Sequence, residues 1–328
     1  ILSMTIYLVS VRNEAQSVLP MISLYALAGY RLMPALQGVF QSTATLRHDI
    51  AAVDLFYNDI KGVSSQLIDL GEQEVKEQLL VKKDLVLGDI CFHYPSVSKL
   101  AIKNLSLKVK VNTSIGIIGT SGSGKSTLVD VILGLLQPQK GSIAVDGEQL
   151  TDDNLRAWQN NIGYVPQVIF LADLTVSENI AFGLPIKEID QDAVVRAAKM
   201  ANLHHFIVTE LEDGYQTMVG ERGVRLSGGQ RQRIGIARAL YHDPSVIVLD
   251  EATSALDTPT ESAVMDAVYN LAHKKTIIMI AHRISTVSKC DNLLWLEQGQ
   301  VKAYGKFEQL MLTEPSFKKF VNAGKSES

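Results

Sequence analysis

The chain has very little cysteine and no excess of basic residues. Cys91 and Cys290 are the only cysteines among 328 residues, too few and too far apart for a zinc-site or redox signature. The formal net charge is -4, from 31 basic and 35 acidic residues, so we expect no nucleic-acid partner. A hydrophobic content of 46% still allows a large core, and the length fits about two domains.

Charge is also scarce near the N-terminus. From Val18 to Phe40 the only charged residue is Arg31, and a helix there would be about 35 Å long, enough to cross a bilayer core of about 30 Å. We therefore predict a partial span, an outer loop and a last membrane helix with its cytoplasmic extension over residues 1–61. A buried helix of a soluble protein is the alternative. A cleavable signal peptide is disfavoured, since no basic segment precedes the run.

The composition and the hydrophobic pattern change twice further along the chain. Residues 62–84 are rich in Glu, Lys and Gln, have weak periodicity and are expected to form a linker. Residues 85–325 alternate apolar runs with helical stretches, which predicts a parallel sheet with crossover helices. Val246–Leu249 and Thr276–Ile280 are apolar throughout, as are central strands that are buried on both faces. The stretch between Val176 and Ala239 is expected to be mainly helical.

A phosphate-binding loop is the first motif that carries chemistry. Gly119–Ser126 spells Gly-Thr-Ser-Gly-Ser-Gly-Lys-Ser and lies between a predicted buried strand and a helix that starts near Lys125. Such glycines let backbone N–H groups face phosphates, and the helix adds the positive end of its dipole. Lys125 would contact the β- and γ-phosphates, and Ser126 would place its hydroxyl on Mg²⁺. The predicted phosphate contacts are Gly119, Thr120, Ser121, Gly122, Ser123, Gly124, Lys125, Ser126 and Thr127.

Two adjacent acids close one of the apolar strands. Asp250 and Glu251 directly follow Val246–Leu249, at the end of a strand where α/β sheets bind ligands. Asp250 is expected to hold Mg²⁺ through water. Glu251 lies one residue further, where it can orient or deprotonate an attacking water as a general base.

These motifs occur in an order that resembles the nucleotide-binding domain of an ABC transporter. The resemblance covers about residues 84–325, and its most specific element is the signature string Leu226-Ser227-Gly228-Gly229-Gln230. It implies the α/β P-loop NTPase fold of an ABC cassette: a RecA-like parallel sheet core, an antiparallel β subdomain and a helical signature subdomain at about 169–243. Here the cassette follows a helix that derives from a membrane domain. Further matching strings are Gly119–Thr127, Val246–Glu251, Ser254–Asp257 and Ala281–Arg283.

The resemblance also implies roles for individual residues and two cofactors, ATP and Mg²⁺. Tyr94 resembles the aromatic residue that stacks on adenine, and Gln167 resembles the glutamine that touches Mg²⁺ and links the site to the membrane part. His282 resembles the switch histidine that contacts the γ-phosphate. Asp257 would lie at the seam between two domains and couple their sites. The catalytic residues implied are Lys125, Gln167, Glu251 and His282, and the metal contacts are Ser126, Gln167 and Asp250.

A second anion site is predicted from the signature string. Ser227, Gly228 and Gly229 stand before a predicted helix, Gln230–Leu240, so their N–H groups and its dipole attract an anion. Gln230 is also expected to be part of this nucleotide contact. One nucleotide does not need two cradles for its γ-phosphate, so the second cradle is expected to serve a second copy of this chain. Family members accordingly pair head to tail with two ATP molecules between them.

The string Thr217-Met218-Val219-Gly220-Glu221-Arg222-Gly223 resembles the X-loop of ABC exporters. With the N-terminal apolar helix, it favours an exporter in the inner (cytoplasmic) membrane with its ATPase domain in the cytoplasm. The alternatives are a soluble ABC ATPase and an importer ATPase subunit. The segment Tyr25–Gln37 is similar to bacterial exporters that flip lipid-linked oligosaccharides, but the helices that line a substrate cavity lie outside this sequence.

Overall fold

The computed structural model describes residues 7, 15–67, 79–95, 97, 99–252, 258–281 and 283–325. The chain divides into two compact units, Ile1–Glu74 and Val75–Ser328. The strands are β1 (Asp84–Phe92), β2 (Ile102–Lys110), β3 (Ser114–Ile118), β4 (Lys140–Val145), β5 (Glu148–Gln149), β6 (Ile162–Val165), β7 (Val246–Asp250), β8 (Thr276–Ile280), β9 (Asn292–Glu297) and β10 (Gln300–Gly305). The helices are α1 (Ala15–Leu67), α2 (Lys125–Ile132), α3 (Asp152–Gln159), α4 (Val176–Ile180), α5 (Gln191–Met200), α6 (His204–Glu210), α7 (Gly228–Leu240), α8 (Thr258–Tyr269), α9 (Ile284–Val287), α10 (Phe307–Thr313) and α11 (Pro315–Lys325).

The N-terminal unit contains α1, a helix of 53 residues that includes Pro20 and Pro34. It continues to Leu67, past the point at which the linker was expected to begin, and residues 68–78 of that linker lie outside the described residues. Many of its large apolar side chains are exposed. Among them are Leu24, Tyr25, Leu27, Tyr30, Leu36, Phe40, Leu55 and Phe56.

The membrane-crossing prediction for Val18–Phe40 is not confirmed. Within the described part of the chain, no helix combines the length and the apolar character that a membrane span needs. The helix itself is present, as predicted. The reason lies in its composition, because Arg31, Gln37 and several Tyr, Gly and Pro residues interrupt the apolar run and lower its mean hydropathy.

A six-stranded sheet with the order β10-β9-β3-β8-β7-β6 forms the centre of the second unit. All neighbours are parallel except β10, which pairs antiparallel with β9. The predicted central strands are confirmed, because β8 is buried along its whole length and β7 everywhere except at Asp250. Since β3, β8, β7 and β6 run the same way, the residues that follow them meet at one edge.

An antiparallel sheet with the order β2-β1-β4-β5 packs beside this core. β1 and β2 pair from Asp84↔Lys110 to Phe92↔Ile102, and their alternating pattern buries one face, as at Ile102, Leu105 and Leu107. One hydrophobic cluster joins this face to α2 and to the near side of the large sheet. The antiparallel sheet therefore supports the strand and helix that flank the phosphate loop.

The helical part lies between β6 and β7, where it was predicted. Helices α4, α5, α6 and α7 share a second buried cluster with the other side of the large sheet. The N-termini of α4 and α7 carry capping boxes, Thr175 with Glu178 and Ser227 with Gln230, in which each side chain satisfies an orphan backbone N–H of the other residue. The capping fixes where the signature helix begins.

Candidate nucleotide site

The phosphate loop connects β3 to α2 at the shared strand edge. The tip residues Thr120, Ser121 and Gly122 are exposed, whereas Ser123 is buried. Gly124 is the N-cap of α2 with φ of 102°, a left-handed conformation that favours glycine. The loop therefore leads directly into a helix N-terminus, the geometry that binds anions.

Lys125 lies folded back over this loop. Its Nζ donates hydrogen bonds to the carbonyl oxygens of Gly119 (3.0 Å) and Thr120 (3.1 Å), and the residue is only 6% exposed. Burial lowers the pKa of Lys125, while the charges of Glu251 and Asp250 oppose that shift. The ammonium group thus has only carbonyl dipoles and nearby carboxylates to offset its burial, an arrangement that attracts phosphate oxygens.

Asp250 ends β7, and Tyr164 is the next-to-last residue of the neighbouring strand β6. The Tyr164 hydroxyl donates a long hydrogen bond to Asp250 Oδ2 (3.5 Å). Burial and then the charge of Glu251 raise the pKa of Asp250, and burial raises the pKa of Tyr164 to about 12. Burial and a like charge both destabilise the ionised carboxylate, so a bound cation would stabilise it. Sequence reasoning missed Tyr164, although it directly precedes the Val-Pro-Gln string that contains Gln167.

Glu251 and Gln167 contact each other directly. Gln167 Nε2 donates to Glu251 Oε2 at 2.7 Å, so the structure brings together two residues that were predicted for separate roles. Glu251 is 8% exposed and has φ of +48°, a left-handed conformation that is uncommon for a residue with a side chain. Its N–H donates to Ile280 O on β8 at 3.1 Å. The carboxylate is thereby held inside the edge, where Gln167 covers it.

Tyr94 lies just beyond β1 and is 41% exposed. Its hydroxyl is 3.2 Å from Thr127 Oγ1 in α2, and its ring meets Phe92 edge to face at a centroid distance of 5.1 Å. An exposed ring tied to the phosphate-loop helix is well placed to stack on a base.

The signature string lies at the start of α7. Ser227 Oγ accepts from the Gln230 N–H (3.3 Å), and Gln230 Oε1 accepts from the Ser227 N–H (2.7 Å). The N–H groups of Ser227 and Gln230 thus each have a side-chain acceptor within the string. The N–H groups of Gly228 and Gly229 remain as the first helical donors, which have no partner within a helix.

His282 and Asp257 lie outside the described residues, so their predicted roles stay predictions. The residue after the histidine, Arg283, donates to Glu261 Oε2 at 2.6 Å, and Thr286 donates to Glu261 Oε1 at 2.7 Å. Sequence reasoning missed the buried Glu261, since a single acid in the first turn of a helix gives no distinctive pattern.

The residues predicted to contact the metal fit Mg²⁺ in their chemistry. Ser126 and Asp250 offer a hydroxyl and a carboxylate, Gln167 offers an amide, and Mg²⁺ commonly binds one or two protein oxygens together with substrate phosphates. Among the described residues, no cluster of three His, Cys, Asp or Glu side chains is arranged to hold a metal. The fit therefore depends on phosphate oxygens as additional ligands.

Comparison with known proteins decides the family. A model of the ABC transporter family matches residues 102–254, which includes the phosphate loop, the signature string and both strand-end acids. Residues 102–254 belong to the ABC transporter family. The cassette fold predicted from the sequence is thus confirmed.

Several curated proteins with transport-related names are similar to this chain. It is 35% identical to a multidrug export ATP-binding/permease protein, YgaD of Bacillus subtilis (strain 168), over 90% of this chain and 50% of the relative. It is 36% identical to the ATP-dependent lipid A-core flippase of Pectobacterium atrosepticum, over 87% of this chain and 48% of the relative. With the Arabidopsis thaliana ABC transporter B family member 14, it shares 40% identity over 73% of this chain and 19% of the relative.

A solved structure of a bacterial Atm1-family ABC exporter with ATP bound is also similar, with a TM-score of 0.68 and 33% identity. The match covers 79% of this chain and 45% of that one. The chain thus spans half or less of the length of these relatives. Within this span the chain has the ATP-binding domain of an ABC transporter, which is an ATPase domain.

Proposed function

We propose that this chain is the ATPase-bearing part of an ABC exporter, which hydrolyses Mg-ATP between two copies of itself to power export or flipping across a membrane. The observation that carries the proposal is the convergence at one strand edge of the phosphate loop with Lys125, of Asp250 and of the Gln167–Glu251 pair. A phosphate cradle beside a buried carboxylate is what hydrolysis of a phosphoanhydride requires.

The chain's own residues divide the chemistry between them. The phosphate loop and Lys125 bind the β- and γ-phosphates, and Glu251 orients the attacking water and accepts its proton. The water oxygen forms a bond to the γ-phosphorus while the bond from that phosphorus to the bridging oxygen of ADP breaks. Ser126, Gln167 and Asp250 would hold Mg²⁺, which supplies positive charge to the phosphate oxygens. Since Gln167 donates to Glu251, a movement of Gln167 would change the contacts of the base, and this links catalysis to the Gln167 loop.

The second copy is inferred because the signature string at the start of α7 forms a second helix N-terminus that can bind an anion, and one nucleotide does not need two cradles for its γ-phosphate. In a head-to-tail dimer, Ser227, Gly228 and Gly229 of one copy face the γ-phosphate that the other copy holds. The backbone N–H groups of Gly228 and Gly229, in the first turn of α7, support this role. Asp257 is proposed to lie at the seam between the two copies, and His282 is proposed to contact the γ-phosphate. ATP binding then closes the dimer, and hydrolysis opens it.

The N-terminal unit is proposed to connect the ATPase to a transmembrane domain in the cytoplasmic membrane, with the ATPase on the cytoplasmic side. The similarity to YgaD covers more of the chain than residues 85–328 alone can supply, so it extends into α1. The relatives' names include multidrug export and lipid A-core flipping. We therefore propose an amphipathic substrate, and lipid-linked oligosaccharide is one such class.

Glu251→Gln tests the mechanism. The wild-type chain is expected to hydrolyse Mg-ATP slowly, whereas the variant loses about 100-fold or more of that rate, the scale of a missing general base. The mass in solution with Mg-ATP should double in the variant, because the closed dimer is not reopened. Steady-state phosphate release and light scattering provide the two readouts.

A matched control is Glu212→Gln, which neutralises an exposed acid in the helical part and should change neither readout. Hydrolysis by Glu251→Gln at the wild-type rate would contradict the assignment of the base. Loss of activity without an ATP-dependent dimer would contradict the proposed composite site for this chain.

A further inference from the structure

The turn between β9 and β10 contacts the back of the phosphate loop. It consists of Gln298 and Gly299, with φ of 51° and 80°, the left-handed pair that is typical of a two-residue hairpin turn. The Gly299 N–H donates to the Ser123 carbonyl oxygen at 3.0 Å, and the Gly299 carbonyl accepts from the Lys103 N–H at 2.8 Å. One turn residue therefore connects the phosphate loop to the start of β2.

The backbones of Gly299, Gly124 and Ala101 lie so close together that neither glycine has room for a side chain. A Cβ on Gly299 would lie 2.5 Å from the Ala101 carbonyl oxygen and 3.0 Å from its carbon, and a Cβ on Gly124 would lie 2.7 Å from the same oxygen. The same Cβ on Gly124 would lie 3.7 Å from the Cα of Gly299. Because the obstacles are backbone atoms and not flexible side chains, a Cβ at Gly299 must displace the turn or the loop.

The hydrogen bond to Ser123 has a directional consequence. The peptide between Ser123 and Gly124 is planar and trans, so its C=O and N–H point to opposite sides. When the C=O points to Gly299, the Gly124 N–H points away from the hairpin. Backbone N–H groups of this loop are the donors that bind phosphate, and Ser123 is 2% exposed, which leaves it little freedom to rotate.

We propose that Gly299 is a positioning residue for nucleotide binding, because its N–H fixes the Ser123–Gly124 peptide so that the Gly124 N–H faces the phosphates. This inference depends on the proposed nucleotide site, and it adds the hairpin turn as a part of that site. Gly299 touches no nucleotide itself and acts only through the loop.

Gly147 provides a matched control within the same chain. It is the second residue of the two-residue turn between β4 and β5, with φ of 89° after Asp146 at 54°, and a Cβ there meets no atom within 4 Å. Gly147→Ala and Gly299→Ala therefore impose the same left-handed strain on the same kind of turn. Only the change at Gly299 adds the collision beside the phosphate loop.

The test measures Mg-ADP affinity of the 328-residue chain by calorimetry, at a temperature where circular dichroism shows each variant folded. Gly299→Ala is expected to raise the Kd about tenfold or more, since small displacements of binding groups have effects of that size, whereas Gly147→Ala leaves the Kd unchanged. A merely structural role lowers the melting temperature but not the affinity of the folded protein. Equal Kd values for the two variants would overturn the proposal.

A second variant covers the case in which Gly299→Ala does not fold. Insertion of one glycine between Gln298 and Gly299 adds no Cβ but moves the N–H away from Ser123, and the same insertion between Asp146 and Gly147 is its control. We expect the weaker Mg-ADP binding only for the first insertion, and unchanged binding there overturns the proposal. If the wild-type chain itself binds no Mg-ADP, the proposed function fails instead, which separates the two ideas.

Discussion

The phosphate loop and the signature string both lead into a helix N-terminus, yet their surroundings differ. At the phosphate loop, a buried lysine, Lys125, interacts with two carboxylates on the neighbouring strand edge, Asp250 and Glu251. At the signature string, Ser227 and Gln230 satisfy each other, and Ser227 is exposed. The first loop has reactive groups around it, whereas the second has a capped helix end that faces outward.

This difference shows that a helix N-terminus alone determines where an anion can bind but not what happens to it. The dipole and free N–H groups are common to both places. Hydrolysis needs a buried carboxylate beside the phosphates, and Glu251 is such a group on the phosphate-loop side. On the signature side the helix N-terminus contributes binding, which agrees with a site that two copies complete.

The largest expected effect comes from inactivating the phosphate loop in one chain and the signature string in another. Lys125→Met removes the cation of the phosphate loop, and Ser227→Asp keeps a good N-cap but adds a charge that repels the γ-phosphate. Each variant alone should lose nearly all ATPase activity. An equal mixture should recover about a quarter of the wild-type rate, since half of the dimers are mixed and each then has one intact site of two. Phosphate release of the mixture measures the recovery.

The control for that mixture is Ser227→Asn, which keeps the cap without adding charge and should retain most of the activity. If Ser227→Asp alone stays active, the signature side contributes nothing to the site. If both single variants are inactive and the mixture is inactive too, the two sides do not come from different copies.

A smaller effect concerns stability on the phosphate-loop side. Burial and the charge of Glu251 raise the folded-state pKa of Asp250 above its unfolded value near 3.8, so the folded state binds this proton more tightly. Stability then falls as the pH rises from the unfolded to the folded pKa of this carboxyl, and it stays reduced above that range. Asp250→Asn should therefore raise the melting temperature of the nucleotide-free chain at pH 7, by about 2 °C for a fraction of a kcal/mol.

The matching measurement is a series of melts from pH 3 to pH 8 without nucleotide. The advantage of Asp250→Asn should vanish at the acid end, because the wild-type carboxyl is then neutral as well. On the signature side, Glu221→Gln changes an exposed acid and should show no such pH-dependent gain. A variant that is less stable than the wild type at pH 7 would show that Asp250 is not a source of strain.

Sequence was sufficient for the strands and the loop because their signals are local. The apolar runs at β7 and β8 and the glycine pattern before Lys125 specify buried strands and a phosphate loop without tertiary information. The membrane prediction over Val18–Phe40 was less secure, since one charge and a few polar residues decide whether such a run is apolar enough. The extent of α1 to Leu67 was missed because Gly62 and the polar stretch after it resembled the start of a linker.

The contacts within the site were harder to predict because they depend on neighbours in the sheet. Tyr164 meets Asp250, and Gln167 meets Glu251, because β6 and β7 are adjacent, although 80 or so residues separate them in sequence. The same holds for Gly299, whose importance lies in the backbone of Ala101 and Ser123. No local pattern carries such information, whereas the residue types needed for phosphate chemistry were visible in each string.

The smallest predicted effect concerns Tyr94, whose ring belongs to the phosphate-loop side alone. Tyr94→Phe keeps the ring and loses only the hydroxyl contact with Thr127 (3.2 Å), so the Kd for Mg-ADP should rise about twofold at most, because a single neutral hydrogen bond contributes little net energy. Tyr94→Ala should raise it about tenfold, since stacking of a base on an aromatic ring is worth about 1–3 kcal/mol. Pyrophosphate has no base, so its affinity should be the same in all three proteins. A parallel loss of pyrophosphate binding in Tyr94→Ala would mean that the ring supports the phosphate loop and not the adenine.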